Sequence, residues 1–193
     1  MNGRGERSSI EGSRPTLAER ILLVDRALSR VPHAFGGAIA LAYYAEPRAT
    51  VDVDLNVFVP PERFDSVAAR LRPLGVAVDD EDVRQRVAQE GQVRVFWDHV
   101  PLDLFFAYDR FHRAAAREVR RVPFADRTIP ILAASHLVVC KVVFDRPKDW
   151  VDIEAMATSG ADIDVAEVLR WLGRILGDED RRYDRVAALL ARR

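Results

Sequence analysis

The chain has 193 residues, 49% hydrophobic and 31% charged, with a formal net charge of -1. That describes a globular protein with one core, or one core plus a small helical lobe, and excludes nucleic-acid binding through global basicity. Its single cysteine, Cys140, excludes an intramolecular disulfide and a cysteine-rich zinc site.

No apolar run approaches the roughly 18 residues of a membrane span. The leading stretch MNGRGERSSIEGSRPT is polar and has no apolar signal-peptide core, so a cytoplasmic chain with residues 1–15 flexible is expected. Leu17, Ile21, Leu22, Val24 and Leu28 then recur at helical spacing and predict a helix over residues 16–30, capped by Thr16. A short strand over residues 33–35 leads to Gly36-Gly37, which opens a helix over residues 38–45.

The stretch TVDVDLNVFV reads as a strand. Alternation puts Asp52, Asp54 and Asn56 on one side and Val51, Val53, Leu55 and Val57 on the other. Two neighbouring carboxylates repel each other, and a divalent cation is the usual compensation. Glycines upstream let a backbone approach a ligand, and a helix N-terminus offers N–H groups to phosphate. Together these are the parts needed to move phosphoryl or nucleotidyl groups. Separately, each has a bland reading, as a plain turn and as an acid-alternating surface strand.

Pro60-Pro61 ends the strand and starts a helix over residues 62–72, with Phe64, Val67, Ala68 and Leu71 inward. Residues 79–89 form a polar helix or a mobile segment. VRVFW and VPLDLFFAY read as two antiparallel strands turning at Asp98-His99. Asp103 sits among apolar neighbours in the second, either facing solvent or meeting a partner or metal. A helix over residues 109–118 carries Arg110, Arg113 and Arg117 on one face, followed by Arg120 and Arg121. That run is either a solvated face or a track for a phosphate backbone. Strands are expected over residues 120–124 and 128–131, and everything from residue 133 onward is helical. Arg181, Arg182, Arg185, Arg192 and Arg193 form a second basic cluster near the end.

Lys141 stands alone in the apolar run LVVCKVVF. It either snorkels, pairs with Asp145 one turn on, or meets an anion. Cys140 reads as a buried, inert thiol. The four histidines, His33, His99, His112 and His136, share no ligand spacing with one another or with an acid cluster. His136 and Cys140, four apart, read as core packing.

Gly36-Gly37-Ala38-Ile39-Ala40, then Arg48-Ala49-Thr50-Val51-Asp52-Val53-Asp54, resembles the polymerase-beta-type nucleotidyltransferase superfamily. The closer likeness is to the branch of AbiEii, AbiGii and MenT toxins of toxin–antitoxin systems. Lys141 and Arg146-Pro147-Lys148-Asp149-Trp150-Val151-Asp152 match its downstream pattern in type and order. Many members carry Ser where this chain has Gly37, which leaves backbone donors alone for phosphate.

The resemblance implies an α+β fold: a mixed or antiparallel sheet flanked by helices over residues 16–132, with a helical C-terminal lobe over residues 133–193. It implies metal-dependent nucleotidyl transfer from a nucleoside triphosphate to the 3′ end of tRNA, blocking translation, with a cognate antitoxin protein as partner. Asp52, Asp54 and Asp103 would hold Mg2+ or Mn2+. Gly36, Gly37, Arg48, Thr50, Lys141 and Asp149 would contact the nucleotide, Asp52, Asp54, Asp103, Lys141 and Asp152 would serve catalysis, and the arginine run would bind RNA. The rival expectations are transfer to a small molecule or protein hydroxyl, and a non-catalytic binding module of the same fold.

Overall fold

A computed structural model describes residues 14–192. The segment expected to be flexible lies outside these residues except for Arg14 and Pro15. Helix α1 (Leu17–Ala27) opens on a capping box: Thr16 accepts from the Glu19 N–H, and the Glu19 carboxylate takes the Thr16 N–H at 2.7 Å. Strand β1 (His33–Phe35) is buried throughout. Helix α2 (Gly37–Leu41) is shorter than the expected 38–45, because residues 42–45 close in tighter turns. Tyr44 there donates its hydroxyl to the Leu132 carbonyl at 2.8 Å.

Strand β2 (Val53–Val57) begins one residue after Asp52, later than expected. A Thr50 hydroxyl accepting the Asp52 N–H at 3.2 Å turns the chain there, so Val51 is exposed and does not join the apolar side. Val53, Leu55 and Val57 go to the core, as alternation requires. A 3-10 turn at Pro61–Arg63 then leads into α3 (Phe64–Leu71), whose Phe64 meets Phe106 edge to face at 6.0 Å. Helix α4 (Glu81–Glu90) is capped by Asp80 and stopped by left-handed Gly91.

Strands β3 (Gln92–Trp97) and β4 (Val100–Phe106) form a two-residue hairpin at Asp98-His99, with Asp98 at φ 55°. Alternation in the pair buries Val93, Val95, Leu102, Leu104 and Phe106. Helix α5 (Arg110–Arg117), with Asp109 as its cap, connects to the hairpin β5 (Arg120–Phe124) and β6 (Arg127–Ile131). In the described residues six strands form one mixed sheet in the order β3-β4-β2-β1-β6-β5, with β2/β4 and β1/β6 parallel and the rest antiparallel.

Four helices follow: α6 (Ala134–Phe144), α7 (Pro147–Thr158), α8 (Val165–Ile175) and α9 (Arg181–Leu190). Helix α6 is buried along almost its whole length, which explains its apolar composition on every face. Asp145 at φ 53° ends it, accepting from the Trp150 indole at 2.7 Å and from Arg181 at 3.1 Å. Arg185 stacks on Trp150 at 3.9 Å, and Arg182 donates to the Val143 carbonyl. Three arginines of the second basic cluster therefore tie α9 to α6 and α7. None of the helices in the described residues is long and apolar enough to cross a membrane.

Candidate active site

The site is built on the centre of the sheet. Parallel pairing of β2 and β4 sets Asp54 beside Asp103, and antiparallel pairing of β3 and β4 sets Arg94 beside Asp103. Strands lie about 4.8 Å apart, so Arg94, Asp103 and Asp54 make one polar row on the face opposite Leu55 and Leu104. Arg94 grips Asp103 bidentately at 2.8 and 2.7 Å, and its guanidinium reaches Asp52 at 3.7 Å. Asp103 is thus neither solvent-facing nor alone.

Asp54 is half-buried, and its carboxyl is raised above the usual carboxylate range. Burial is the largest cause, Asp103 and Asp52 add to it, and Arg146 and Lys141 oppose it. Asp54 also lies hard against the glycine pair. A Cβ on Gly37 would stand 1.7 Å from Asp54 Oδ2, and Gly37 itself has φ 50°. A Cβ on Gly36 would meet the Asn56 amide at 2.9 Å. Glycine at 37 is therefore demanded twice, by backbone conformation and by the carboxylate lying over it.

A cationic cluster faces these acids from α6, α7 and the loop before β2. Lys141 is buried, with Nζ 2.5 Å from Asp152 Oδ2 and 3.7 Å from Asp149 Oδ1. Arg48 clamps Asp152 at 2.9 and 3.0 Å, and Arg146 clamps Asp149 at 2.6 and 3.1 Å. Three cations on two carboxylates leave one positive charge in excess. The alternative i, i+4 pair of Lys141 with Asp145 does not form, because Asp145 is taken by Trp150 and Arg181. Asp152 is held below the usual range: hydrogen bonds and charge from Arg48 and Lys141 outweigh its burial, the largest single effect.

Next to Asp54, Lys141, Arg146 and Asp149 opens a cavity of about 740 Å³, walled by Phe105, Tyr108, Phe111, Phe144 and Trp171. Cys140 also lines it; burial pushes its thiol up to about 12, so it is inert at neutral pH as expected. Of the arginine run, Arg110 lines this cavity, and Arg113 and Arg117 are exposed on the same helix. Arg120 pairs at 3.8 Å with Asp162, and Arg121 donates to Thr128. The five do not act as one set.

Two features escaped the sequence pattern. Arg94 was legible in principle: a two-residue turn at Asp98-His99 pairs Trp97 with Val100, and counting back pairs Arg94 with Asp103. Sequence spacing assigned none of the four histidines to a metal set. Glu118, His136 and Glu167 converge within 4.8 Å, although 18 and 31 residues separate them. Only the fold brings them together.

Asp103 is held on both oxygens by Arg94, so the carboxylates left to meet a cation on this face of the sheet are Asp52 and Asp54. A metal there would offset the burial, and the repulsion from Asp103 and Asp52, that raise Asp54. Carboxylates on adjacent strands with an opposed Lys/Arg cluster, on a mixed sheet flanked by helices, fit a nucleotidyltransferase. The chain belongs to the AbiEii family of nucleotidyl transferase toxins of type IV toxin–antitoxin systems, which it matches over residues 21–190. Membership brings a nucleoside triphosphate as substrate, a divalent metal in general and an antitoxin as partner.

Among solved structures, the chain is similar to the antibiotic-resistance factor ANT(2'')-Ia in solution, with a TM-score of 0.53 and 15% identity over 91% of both chains. It is also similar to the crystal structure of ANT(2'')-Ia in complex with adenylyl-2''-tobramycin, with a TM-score of 0.55 and 17% identity over 92% of this chain and 97% of that one. At these identities the likeness shows the shared fold. The comparison with curated proteins gives no sequence match.

Proposed function

We propose that the protein transfers a nucleotide from a nucleoside triphosphate to the 3′-terminal hydroxyl of tRNA, using Mg2+. The carrying observation is the row Asp54–Asp103 opposed by Lys141, Arg48 and Arg146, with Asp54, Lys141 and Arg146 lining the cavity. Asp52 and Asp54 would hold the metal, which supplies charge neutralisation for the triphosphate when bound. Lys141 and Arg146, steadied by Asp152 and Asp149, bind phosphate oxygens, and Gly36 and Gly37 let the backbone come close. Arg48 fixes Asp152, and the Thr50 hydroxyl fixes the turn that presents Asp52. The acceptor oxygen forms a bond to the α-phosphorus as the bond to the bridging oxygen breaks and pyrophosphate leaves. Asp103 takes the acceptor's proton once the substrate has drawn Arg94 away. Arg110, Arg113 and Arg117 lie on the helix beside the cavity and suit an RNA backbone.

A second reading has one observation in its favour. The cavity of about 740 Å³ with its aromatic wall falls within the range of small-molecule sites. A small hydroxylated acceptor would fit it with the same chemistry.

The test is incubation of the protein with total tRNA, Mg2+ and each labelled nucleoside triphosphate in turn. Label on the tRNA 3′ end with wild type, and none with Asp54→Asn, is the expected result. Pyrophosphate release without labelled tRNA would overturn the RNA acceptor and favour the small-molecule reading.

A further inference from the structure

We propose that Glu118, His136 and Glu167 form a Zn2+ site, separate from the nucleotidyl-transfer centre, that ties α5, α6 and α8 together. His136 is 0% exposed, yet neither ring nitrogen has a hydrogen-bond partner among the described residues. Nδ1 stands 4.0 Å from Glu118 Oε2 and Nε2 stands 3.8 Å from Glu167 Oε1, both too long for a hydrogen bond. Buried polar groups left without a partner are uncommon and call for an ion, a water or a functional reason.

The charges point the same way. Burial lowers the proton affinity of His136, so the imidazole is neutral at pH 7 and has a lone pair to give. Two carboxylates around a neutral ring carry a double negative charge; Arg170 at 3.1 Å and the Trp171 indole at 3.3 Å both donate to Glu167 Oε1, which leaves Glu167 Oε2 and Glu118 to face a cation. A dication balances that charge. One imidazole nitrogen with two carboxylate oxygens suits Zn2+, whereas Mg2+ prefers an all-oxygen, near-octahedral shell.

Zinc–ligand bonds near 2.1 Å put neighbouring ligand atoms roughly 3.4 Å apart in a tetrahedral shell. The present spread of 4.8 Å must therefore contract by a little over an ångström. The Glu118 side chain, 51% exposed at the C-terminal end of α5, has the freedom to move in, and the fourth position opens on its side. His136 precedes Lys141 by five residues on α6, about 7.5 Å along the axis and about 140° around it. The two centres therefore lie on different faces of one helix. Closing the site would fix α8, which carries Trp171 into the cavity wall.

The experiment uses tag-free protein stripped with a chelator and dialysed against micromolar Zn2+ in excess Mg2+. Bound zinc is read by atomic absorption, coordination by the visible spectrum of the Co2+ form, and stability by thermal melting. One Zn2+ per chain and a rise in melting temperature of about 5 °C are expected for wild type and for the Asp52→Asn/Asp54→Asn double variant. Glu118→Gln, at a half-exposed position that leaves the fold intact, should bind at least about tenfold more weakly, and His136→Asn likewise. Zinc uptake lost in the Asp52/Asp54 variant but kept in Glu118→Gln would overturn the site. So would a wild-type protein that binds no zinc while its stability follows pH alone, which would assign His136 to proton exchange with its two acids.

Discussion

Asp54 shows how a single residue can be costly to the fold and necessary to the chemistry. Burial and the nearby Asp103 raise its carboxyl in the folded state above the ordinary 3.8. The folded protein therefore keeps that proton to higher pH than the unfolded chain does, and stability falls as pH rises through this interval. At neutral pH the ionised group is a net cost. Asp54→Asn should therefore raise the melting temperature in the absence of divalent metal. The advantage should fade in melts near pH 4 and shrink when Mg2+ is added to wild type. Turnover in the same variant should drop at least about a thousandfold. A variant no more stable than wild type at pH 7 would show that Arg146 and Lys141 already neutralise the group. Gly37 belongs to the same calculation. Gly37→Ala forces a side chain into a left-handed backbone and onto Asp54 Oδ2, so it should lose activity and at least about 1 kcal/mol of stability in a denaturant melt. Gly36→Ala meets only the end of an amide and should be milder.

At the scale of elements, the α6–α7 corner is held by the chain Arg48–Asp152–Lys141–Asp149–Arg146. Lys141 and Asp152 are both buried, so removing one strands the other. Asp152→Ala should cost about 3 kcal/mol in chemical denaturation, because Lys141 keeps only Asp149 at 3.7 Å. Replacing both, as Lys141→Met with Asp152→Leu, should recover part of that loss while abolishing nucleotide binding. The Asp152 carboxyl is depressed in the folded state, so its contribution is present above the ordinary 3.8 and is lost as pH falls through that value and below. Wild type should therefore lose stability in acid more steeply than Asp152→Ala. Local spacing made much of this corner legible: Lys141 in an apolar run and Asp149 and Asp152 one turn apart were visible as candidates. Their place on the next helix also suited them to orient Lys141 or the nucleotide, and both do meet Lys141; spacing alone did not rule out the rival pairing with Asp145. Asp145 is nearer in sequence, but it sits in the left-handed residue that ends α6 and points toward Trp150 and Arg181. The β3–β4 hairpin was readable because alternation and a two-residue turn set its register locally. The length of α2 was not, since a tyrosine hydroxyl bound 88 residues away helps fix its end.

Across the whole molecule, a formal charge of -1 conceals an uneven distribution of basic groups. The arginines of α9 are used up in holding helices together, and Arg120 and Arg121 have partners on their own side of the sheet. Arg110, Arg113 and Arg117 remain on the helix that borders the cavity, with Arg113 and Arg117 exposed. Composition alone could not separate these groups, because spacing within a helix says which residues share a face and not what that face meets. If Arg113 and Arg117 contact two phosphates of a tRNA end, each releases close to one counterion on binding. Arg113→Gln/Arg117→Gln should therefore reduce the slope of log affinity against log salt by about 1.4 to 1.8. Affinity at low salt should fall by more than at high salt, where counterion release contributes little. The melting temperature should stay within about 1 °C of wild type, since exposed charges add little to stability. Binding of tRNA measured across a salt series decides the matter. An unchanged slope would return these two arginines to the solvent and leave the aromatic cavity, with Arg110 at its edge, to receive the acceptor.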